Sequence, residues 1–338
     1  MIAPRPRFDH IVAMTTENGT FEHALHATPR IEHGFCADDM ARVLVVAARE
    51  PNRDDAVVAL HRIAFRYLIE AQGRRGDCRN RRQVDGRWRG RRTVEDCWGR
   101  SLWAFGTAAA RAEDDDVRGR ALAAFDRSAA RRAVWLRSVA FAALGSVEVV
   151  EQYPGHDGAV ALLRDAAELF GFRVDDQRWP WPEPRLTYAN AAITEAMIAT
   201  GTALDRPGLV DTGLSLLRWL LDRETHDGHS SPTPAGGSGP DDRAPMFDQQ
   251  PIEVAAMADA CVRAFRLTGD PMWMAGLQRS CAWFLGDNDG DAVMWDPATG
   301  GGYDGLTPDG PNLNEGAEST LAFISTMQHA HHLAIVLP

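Results

Sequence analysis

Asp38-Asp39-Met40-Ala41-Arg42-Val43-Leu44-Val45-Val46-Ala47 opens on two carboxylates and then sets Met40, Val43, Leu44 and Ala47 at i, i+3, i+4 and i+7. That spacing lines one face of an α-helix, and acids in the first turn suit its free N–H groups. A second helix follows Asp54-Asp55, with Val58, Ile63, Leu68 and Ile69 in its apolar set. Two helices joined by a short turn make a hairpin.

The rhythm recurs along the chain. Glu95-Asp96 opens a helix with Trp98, Leu102 and Phe105, and its partner runs from about Val117. An apolar helix near Val134 to Leu144 pairs with one near Asp157 to Phe170. Next comes a helix from about Leu186, with Ile193 and Met197, paired with Leu209 to Leu221. Pro251 begins a helix carrying Val254, Met257, Cys261 and Phe265, whose partner holds Trp273, Leu277 and Trp283. The last starts near Asn314 and carries Leu321, Ile324 and Met327. Nothing reads as a run of β-strands. Six successive hairpins can close into an all-α toroid, an (α/α)6 barrel with inner helices parallel and outer ones shielding them. Without a strict sequence repeat, an open solenoid is the competing arrangement. We expect residues 1-338 to form one domain, with residues 1-37 as an irregular lead-in containing a short helix near Phe8 to Met14.

Composition narrows the function. The chain has 338 residues, 45% hydrophobic and 25% charged, with a net charge of -11. This balance disfavours general nucleic-acid affinity. No apolar run approaches the roughly 18 residues of a membrane span, and Met1 to Phe8 lacks a signal-peptide core, so a cytoplasmic protein without a membrane partner is expected. Every basic residue of the Lys/Arg class is arginine, which excludes a Schiff-base, PLP or P-loop lysine. Five scattered cysteines lack a C-x-x-C pair and read as core residues, so neither disulfides nor a zinc cluster is expected. No cofactor motif appears. Asp287-Asn288-Asp289-Gly290-Asp291 is oxygen-rich but lacks the closing glutamate of an EF-hand, so it reads as a polar turn.

Parallel inner helices gather their N-terminal loops at one end. There stand Asp38, Asp39, Glu95, Asp96, Glu183, Asp248, Glu253, Glu315 and Glu318, with Tyr188, Asn190, Gln249, Gln250, Tyr303, Asn312 and Asn314 suited to sugar hydroxyls. Capping explains an acid at a helix start equally well. Capping does not account for Trp179-Pro180-Trp181-Pro182-Glu183-Pro184, where three prolines hold Glu183 and two indoles on a stiff, non-helical loop. An indole face stacks on the C–H face of a sugar ring. Arg74 to Arg92 is a basic loop in which Arg82 offers a bidentate fork and Trp88 a stacking face; its alternative reading is a solvated charge run.

His33-Gly34-Phe35-Cys36-Ala37-Asp38-Asp39-Met40-Ala41-Arg42, Glu95-Asp96-Cys97-Trp98-Gly99-Arg100, the Trp-Pro stretch and Asn314-Glu315-Gly316-Ala317-Glu318-Ser319 together resemble a bacterial helical-toroid domain encoded with or beside glycosyltransferases. That domain is similar to the six-hairpin glycosidase and N-acylglucosamine 2-epimerase superfamily, and the resemblance spans the chain from about residue 8. It implies an (α/α)6 barrel with a sugar cleft at one end, an oligosaccharide or glycoconjugate substrate, and a glycosyltransferase as partner. Asp38 and Asp39 resemble the paired aspartates of some retaining mannanases of that architecture.

The leading expectation is a glycoside hydrolase. Its Glu183 would be one catalytic carboxylate, with Asp39, Asp96, Glu253 or Glu315 opposite. Trp88, Trp179, Trp181, Tyr188 and Tyr303 would offer aromatic contacts, and Arg82, Asn190, Asp248, Gln249, Gln250 and Asn314 polar ones. The competing readings are a sugar epimerase using histidine, a phosphorylase using the arginine loop, and a carbohydrate-binding or partner-docking module without chemistry.

Overall fold

The computed structural model describes residues 3–172, 176 and 178–334. Twelve helices occur among them: α1 (Asp9–Ala13), α2 (Ala37–Arg49), α3 (Asp55–Ala71), α4 (Asp96–Arg111), α5 (Asp115–Ala129), α6 (Leu136–Gln152), α7 (Asp157–Leu169), α8 (Asn190–Ala203), α9 (Pro207–Arg223), α10 (Pro251–Thr268), α11 (Pro271–Phe284) and α12 (Ala317–His332). The even-numbered helices pack in succession, and α12 returns to pack on α2, so the ring is closed rather than an open solenoid. This is an (α/α)6 barrel. No helix among the described residues is long and apolar enough to cross a membrane.

Composition sorts the helices into two layers. In α8, every residue from Asn190 to Gly201 is buried. In α5, burial is confined to Ala121, Ala124, Phe125, Ser128 and Ala129, a single stripe at helical spacing. An inner helix touches neighbours on all sides and therefore needs small side chains at its closest approaches. Gly99, Gly106 and Gly145 supply them between α4 and α6. A Cβ on Gly106 would lie 2.2 Å from the Gly145 carbonyl oxygen, and one on Gly145 would lie 2.3 Å from that of Leu102. Overpacking of this kind costs about 1–3 kcal/mol.

Two helix starts differ from the sequence expectation, and hydrogen bonds explain both. Leu186 exchanges backbone bonds with Ser238, and Ala189 adopts a left-handed φ of 46°, so α8 begins at Asn190. Asn314 accepts from the His26 N–H, and Glu315 N–H donates to the His26 carbonyl, which holds the chain extended until Ala317. The lead-in is also more ordered than its composition implied. It contains α1, two tight hairpins (Thr15–Thr16 with Gly19–Thr20, and Ala24–Leu25 with Thr28–Pro29) and the strand Phe35–Cys36. Its Glu22 carbonyl accepts from Ala317 N–H, anchoring it across the mouth of the barrel.

Candidate active site

Most outer helices carry their own side-chain cap and most inner ones do not, the exceptions being outer α9, without one, and inner α2, capped by Cys36 Sγ. Outer helices α3, α5, α7 and α11 are capped by their own Asp54, Asp114, His156 and Asp270 side chains. The N-cap residues of inner helices α4, α6, α8, α10 and α12 make no side-chain cap. Acids at the inner mouth are therefore largely released from the capping role that explains them elsewhere.

They converge on a cavity of about 460 Å³ lined by Glu22, Asp38, Asp39, Asp96, Asp304 and Glu318 together with Arg42, Arg100, His23, Tyr188 and Gln250. Arg42 holds two of the acids on its two arms: Nη1 donates to Asp39 Oδ1 at 2.6 Å and Nη2 donates to Glu318 Oε2. Cys36 Sγ donates to the second Asp39 oxygen at 3.1 Å. Burial raises the Asp39 pKa to about 6 against the opposing pull of Arg42. Asp304 is arranged differently. Ser319 Oγ and Gly316 N–H both donate to its Oδ1 at 2.9 Å, while no side chain is bonded to Oδ2 among the described contacts. Burial, with the like charges of Glu318 and Asp39 behind it, lifts Asp304 to about 6 despite those donors. Glu318 is the open member, its side chain 43% exposed. On the far wall, Ser138 Oγ donates to Asp96 Oδ1 at 3.0 Å and Tyr188 Oη donates to Oδ2.

Asp96 and Tyr188 also line a second, outer cavity of about 710 Å³, so the two are parts of one cleft. Here the arginine loop contributes, but with the opposite face from the one expected. Phe35–Cys36, Arg81–Arg82 and Trp88–Arg89 form a three-stranded antiparallel sheet, in which Arg81 pairs with Arg89 and Arg82 with Trp88. Alternation along a strand sends these pairs to opposite sides. Arg81 and Arg89 line the outer cavity with Arg91 and Trp135. Arg82 bonds Glu70 at 2.8 Å, and Trp88 packs edge-on against Tyr67 of α3.

Of the expected site residues, Asp39, Asp96, Tyr188 and Gln250 meet at the cleft, joined by Asp38, Glu318 and Asn312. The others are used elsewhere. Glu183 places both carboxylate oxygens 2.8 Å from Arg137 Nη1 and does not line the cleft. Its rigid loop is a scaffold: Trp179 Nε1 donates to the Glu183 carbonyl, and Trp179 and Trp181 are both buried against Trp219 of α9. Glu253 is a cap donated by a neighbouring helix, accepting from the N–H groups of Ala189 and Asn190 and from Asn190 Nδ2. Burial, reinforced by Glu224, raises its pKa to about 8. Glu315 is buried and accepts from Thr299 Oγ1 at 2.6 Å. Asn190 accepts from Arg137, Gln249 bonds Asp289 and Trp283, and Asn314 tethers His26. Tyr303 packs on the core, and Asp248 is exposed outside the cleft.

Sequence reasoning passed over Glu22, His23, Asp304, Arg42, Arg100 and Trp135. Glu22 and His23 lie in the lead-in, and Asp304 in a glycine-rich loop, where no periodicity marks a side chain's direction. Trp135 carried a signal: it precedes an inner helix and is 58% exposed at the cleft.

No family model matches the chain, and no curated protein matches its sequence. Solved structures do. A sugar epimerase from a ruminal bacterium aligns with a TM-score of 0.69 at 11% identity, covering 96% of each chain. Cellobiose 2-epimerase from Spirochaeta thermophila gives 0.63 at 14%, covering 97% of this chain and 95% of the other. A cellulase of C. cellulolyticium in complex with cellobiose gives 0.63 at 7%, covering 94% and 88%. All are six-hairpin (α/α)6 barrels. At these identities the likeness establishes the fold, and function has to be argued from the site.

Proposed function

We propose that the chain is a carbohydrate-active enzyme and, more narrowly, a glycoside hydrolase acting on an oligosaccharide. Asp304 is its general acid and Glu318 the second carboxylate. The observation that carries this reading is the asymmetry of the Asp304 carboxyl: one oxygen is fixed by Ser319 and Gly316, the other is left for substrate, and its proton is retained to about pH 6. A glycosidic oxygen needs such a donor as its bond to the anomeric carbon breaks, and a second carboxylate to receive that carbon or activate water. Arg42 orients Glu318 for that part. Asp96, Tyr188 and Gln250 meet sugar hydroxyls, and Trp135 offers a stacking face at the outer end. The sugar-epimerase, cellobiose 2-epimerase and cellulase neighbours support a carbohydrate substrate on this barrel. The test is release of reducing ends from an oligosaccharide panel. Asp304→Asn and Glu318→Gln should lose turnover while still binding the substrate that wild type cleaves. Full turnover by Asp304→Asn would remove it from the role.

One residue favours a second reading. His23 lines the same cavity, and burial together with its neighbours His33 and Arg30 lowers its pKa, leaving a neutral imidazole able to take a proton. As an epimerase, the protein would exchange a carbon-bound hydrogen of a reducing sugar with solvent. Deuterium uptake without chain cleavage, abolished in His23→Ala, would favour it over hydrolysis.

A further inference from the structure

Away from the cleft, the loops after α9 and α11 meet in a polar cluster. Thr225–His226 and His229–Ser230 form a hairpin in which His226 stands directly opposite His229. The two loop residues, Asp227 and Gly228, have φ of 46° and 93°, as a type I′ turn requires, so the register is fixed by the turn. Opposed residues project from one face of a hairpin. The imidazoles accordingly stand side by side, centroids 5.9 Å apart and nearly perpendicular.

Asp289 arrives from the loop after α11. Its Oδ1 lies 2.9 Å from His226 Nδ1 and 3.0 Å from His229 Nε2. Its placement is built from behind: Gln249 Nε2 donates to Oδ2 at 2.6 Å, and Trp283 Nε1 donates to Gln249 Oε1 at 3.2 Å. Asn288 secures the turn by donating to the Trp283 and Ala292 carbonyls, both at 2.7 Å. The Asp289 side chain is 2% exposed, whereas those of His226 and His229 are 32% and 17% exposed. One side of the cluster is thus rigid and buried, and the other opens to solvent.

We propose that His226, His229 and Asp289 bind one divalent transition-metal ion of the zinc type. The ligand atoms lie within 4.8 Å of one another, with His226 Nδ1 and His229 Nε2 2.9 and 3.0 Å from Asp289 Oδ1, so a small adjustment of the two partly exposed imidazoles lets one ion sit about 2.0–2.2 Å from all three. Two imidazoles and one carboxylate favour such an ion over calcium or magnesium, which take mostly oxygen. The Gln249–Trp283 chain behind Asp289 and the Asp227 carboxylate, 3.8 Å from His226 Nε2, are the outer partners that orient ligands. Solvent fills the open position. None of the three ligands lines either cleft cavity, and the ion ties together three segments, around residues 226–229, 249 and 289, the middle one leading directly into Gln250 of the cleft.

The experiment is titration of the full chain, stripped with chelator, with ZnCl2 by calorimetry and with CoCl2 by visible absorption. We expect one ion per chain, and at least tenfold weaker binding in His229→Ala and in Asp289→Ala. Absence of binding overturns the proposal and leaves a hydrogen-bonded His–Asp–His cluster. Binding of equal strength in wild type and both variants also overturns it, since the ion then sits elsewhere. If either variant fails to fold, wild type alone decides: Co2+ must broaden the ring NMR signals of two histidines ahead of the others. Uniform broadening of all histidine signals counts against the site.

Discussion

The two mouths of the barrel hold cavities of different electrostatic character, one balanced between acids and arginines and one acidic. At the C-terminal ends of the inner helices, a cavity of about 620 Å³ is lined by Arg49, Arg111, Arg263, Glu148, Glu195 and Asp259. Each of those acids has its own arginine: Arg49 with Asp259 at 3.1 Å, Arg111 with Glu148 at 2.9 Å and Arg263 with Glu195 at 3.1 Å. The N-terminal cavity is smaller, about 460 Å³, yet six acids line it beside two arginines. Between the mouths the axis narrows to a cavity of about 40 Å³, with Val46, Trp103, Phe141 and Leu144 in its wall. Volume alone does not mark either mouth as the site. The excess of acids over arginines, six against two, with Asp96 and Asp304 in no described ion pair, marks the N-terminal mouth as the candidate site, since such carboxyls keep a proton or a charge for a substrate.

The largest effect expected from this contrast is on turnover. Asp304→Asn should lower kcat by about 10²–10⁴, the usual contribution of a positioned acid, while Asp259→Asn, measured well below its melting temperature, should stay within about threefold of wild type. Steady-state rates on a cleaved oligosaccharide measure both. The contrast breaks if the two variants are equally impaired at full folding.

Stability should order the mouths the other way. Removing one partner of a buried pair strands the other, so Asp259→Ala should cost about 3 kcal/mol, read as a lower urea midpoint. The pH dependence contributed by Asp259 has the opposite sign to that of Asp39 and Asp304. Burial pushes Asp259 up, but Arg49 and His329 outweigh it and bring it down to about 2. A depressed carboxyl stabilises above its unfolded pKa of about 3.9, and that contribution disappears as pH falls from about 4 to about 2. Asp39 and Asp304 are raised to about 6. The native state then binds more protons than the unfolded one, and stability falls as pH rises from about 4 to about 6. Asp304→Asn should flatten that decline, gaining on the order of 1–2 kcal/mol at pH 8 and little at pH 4. Chemical unfolding across pH decides it; an identical slope in wild type and variant would remove the raised proton affinity from Asp304.

These differences explain what could be read from sequence. The barrel was legible because burial imposes helical periodicity: Met40, Val43, Leu44 and Ala47 are all buried in α2. The Asp38-Asp39 and Glu95-Asp96 starts were legible for the same reason, since the helix fixes where its first turn points. The rest of the site was not. Arg82 and Trp88 differ from Arg81 and Arg89 only by strand register, which two-residue strands barely specify. Asp304 reaches the cleft through Ser319 and Gly316, and Glu22 through the strand-like lead-in, both long-range contacts without a local pattern.

Glu183 carries the smallest expected effect and the sharpest difference between sequence and structure. Proline rigidity made it the acid hardest to explain as a cap, and Arg137 supplies the missing explanation. Both Glu183 oxygens bind Arg137, which also donates to the Tyr188 carbonyl and to Asn190 Oδ1 and lies 4.7 Å from the Tyr188 ring centre. The carboxylate thus acts on the cleft at one remove, by holding the arginine that positions Tyr188 against Asp96. Glutamine keeps one acceptor for Arg137 and loses the charge, a change worth roughly 1–2 kcal/mol. Glu183→Gln should therefore reduce kcat/KM by about tenfold or less, chiefly through KM, and Arg137→Ala should do more damage than Glu183→Gln. If Glu183→Gln instead removed kcat by several orders of magnitude while Asp304→Asn did not, the reacting carboxyl would belong to the Trp-Pro loop, and the acid surplus at the mouth would be a binding surface.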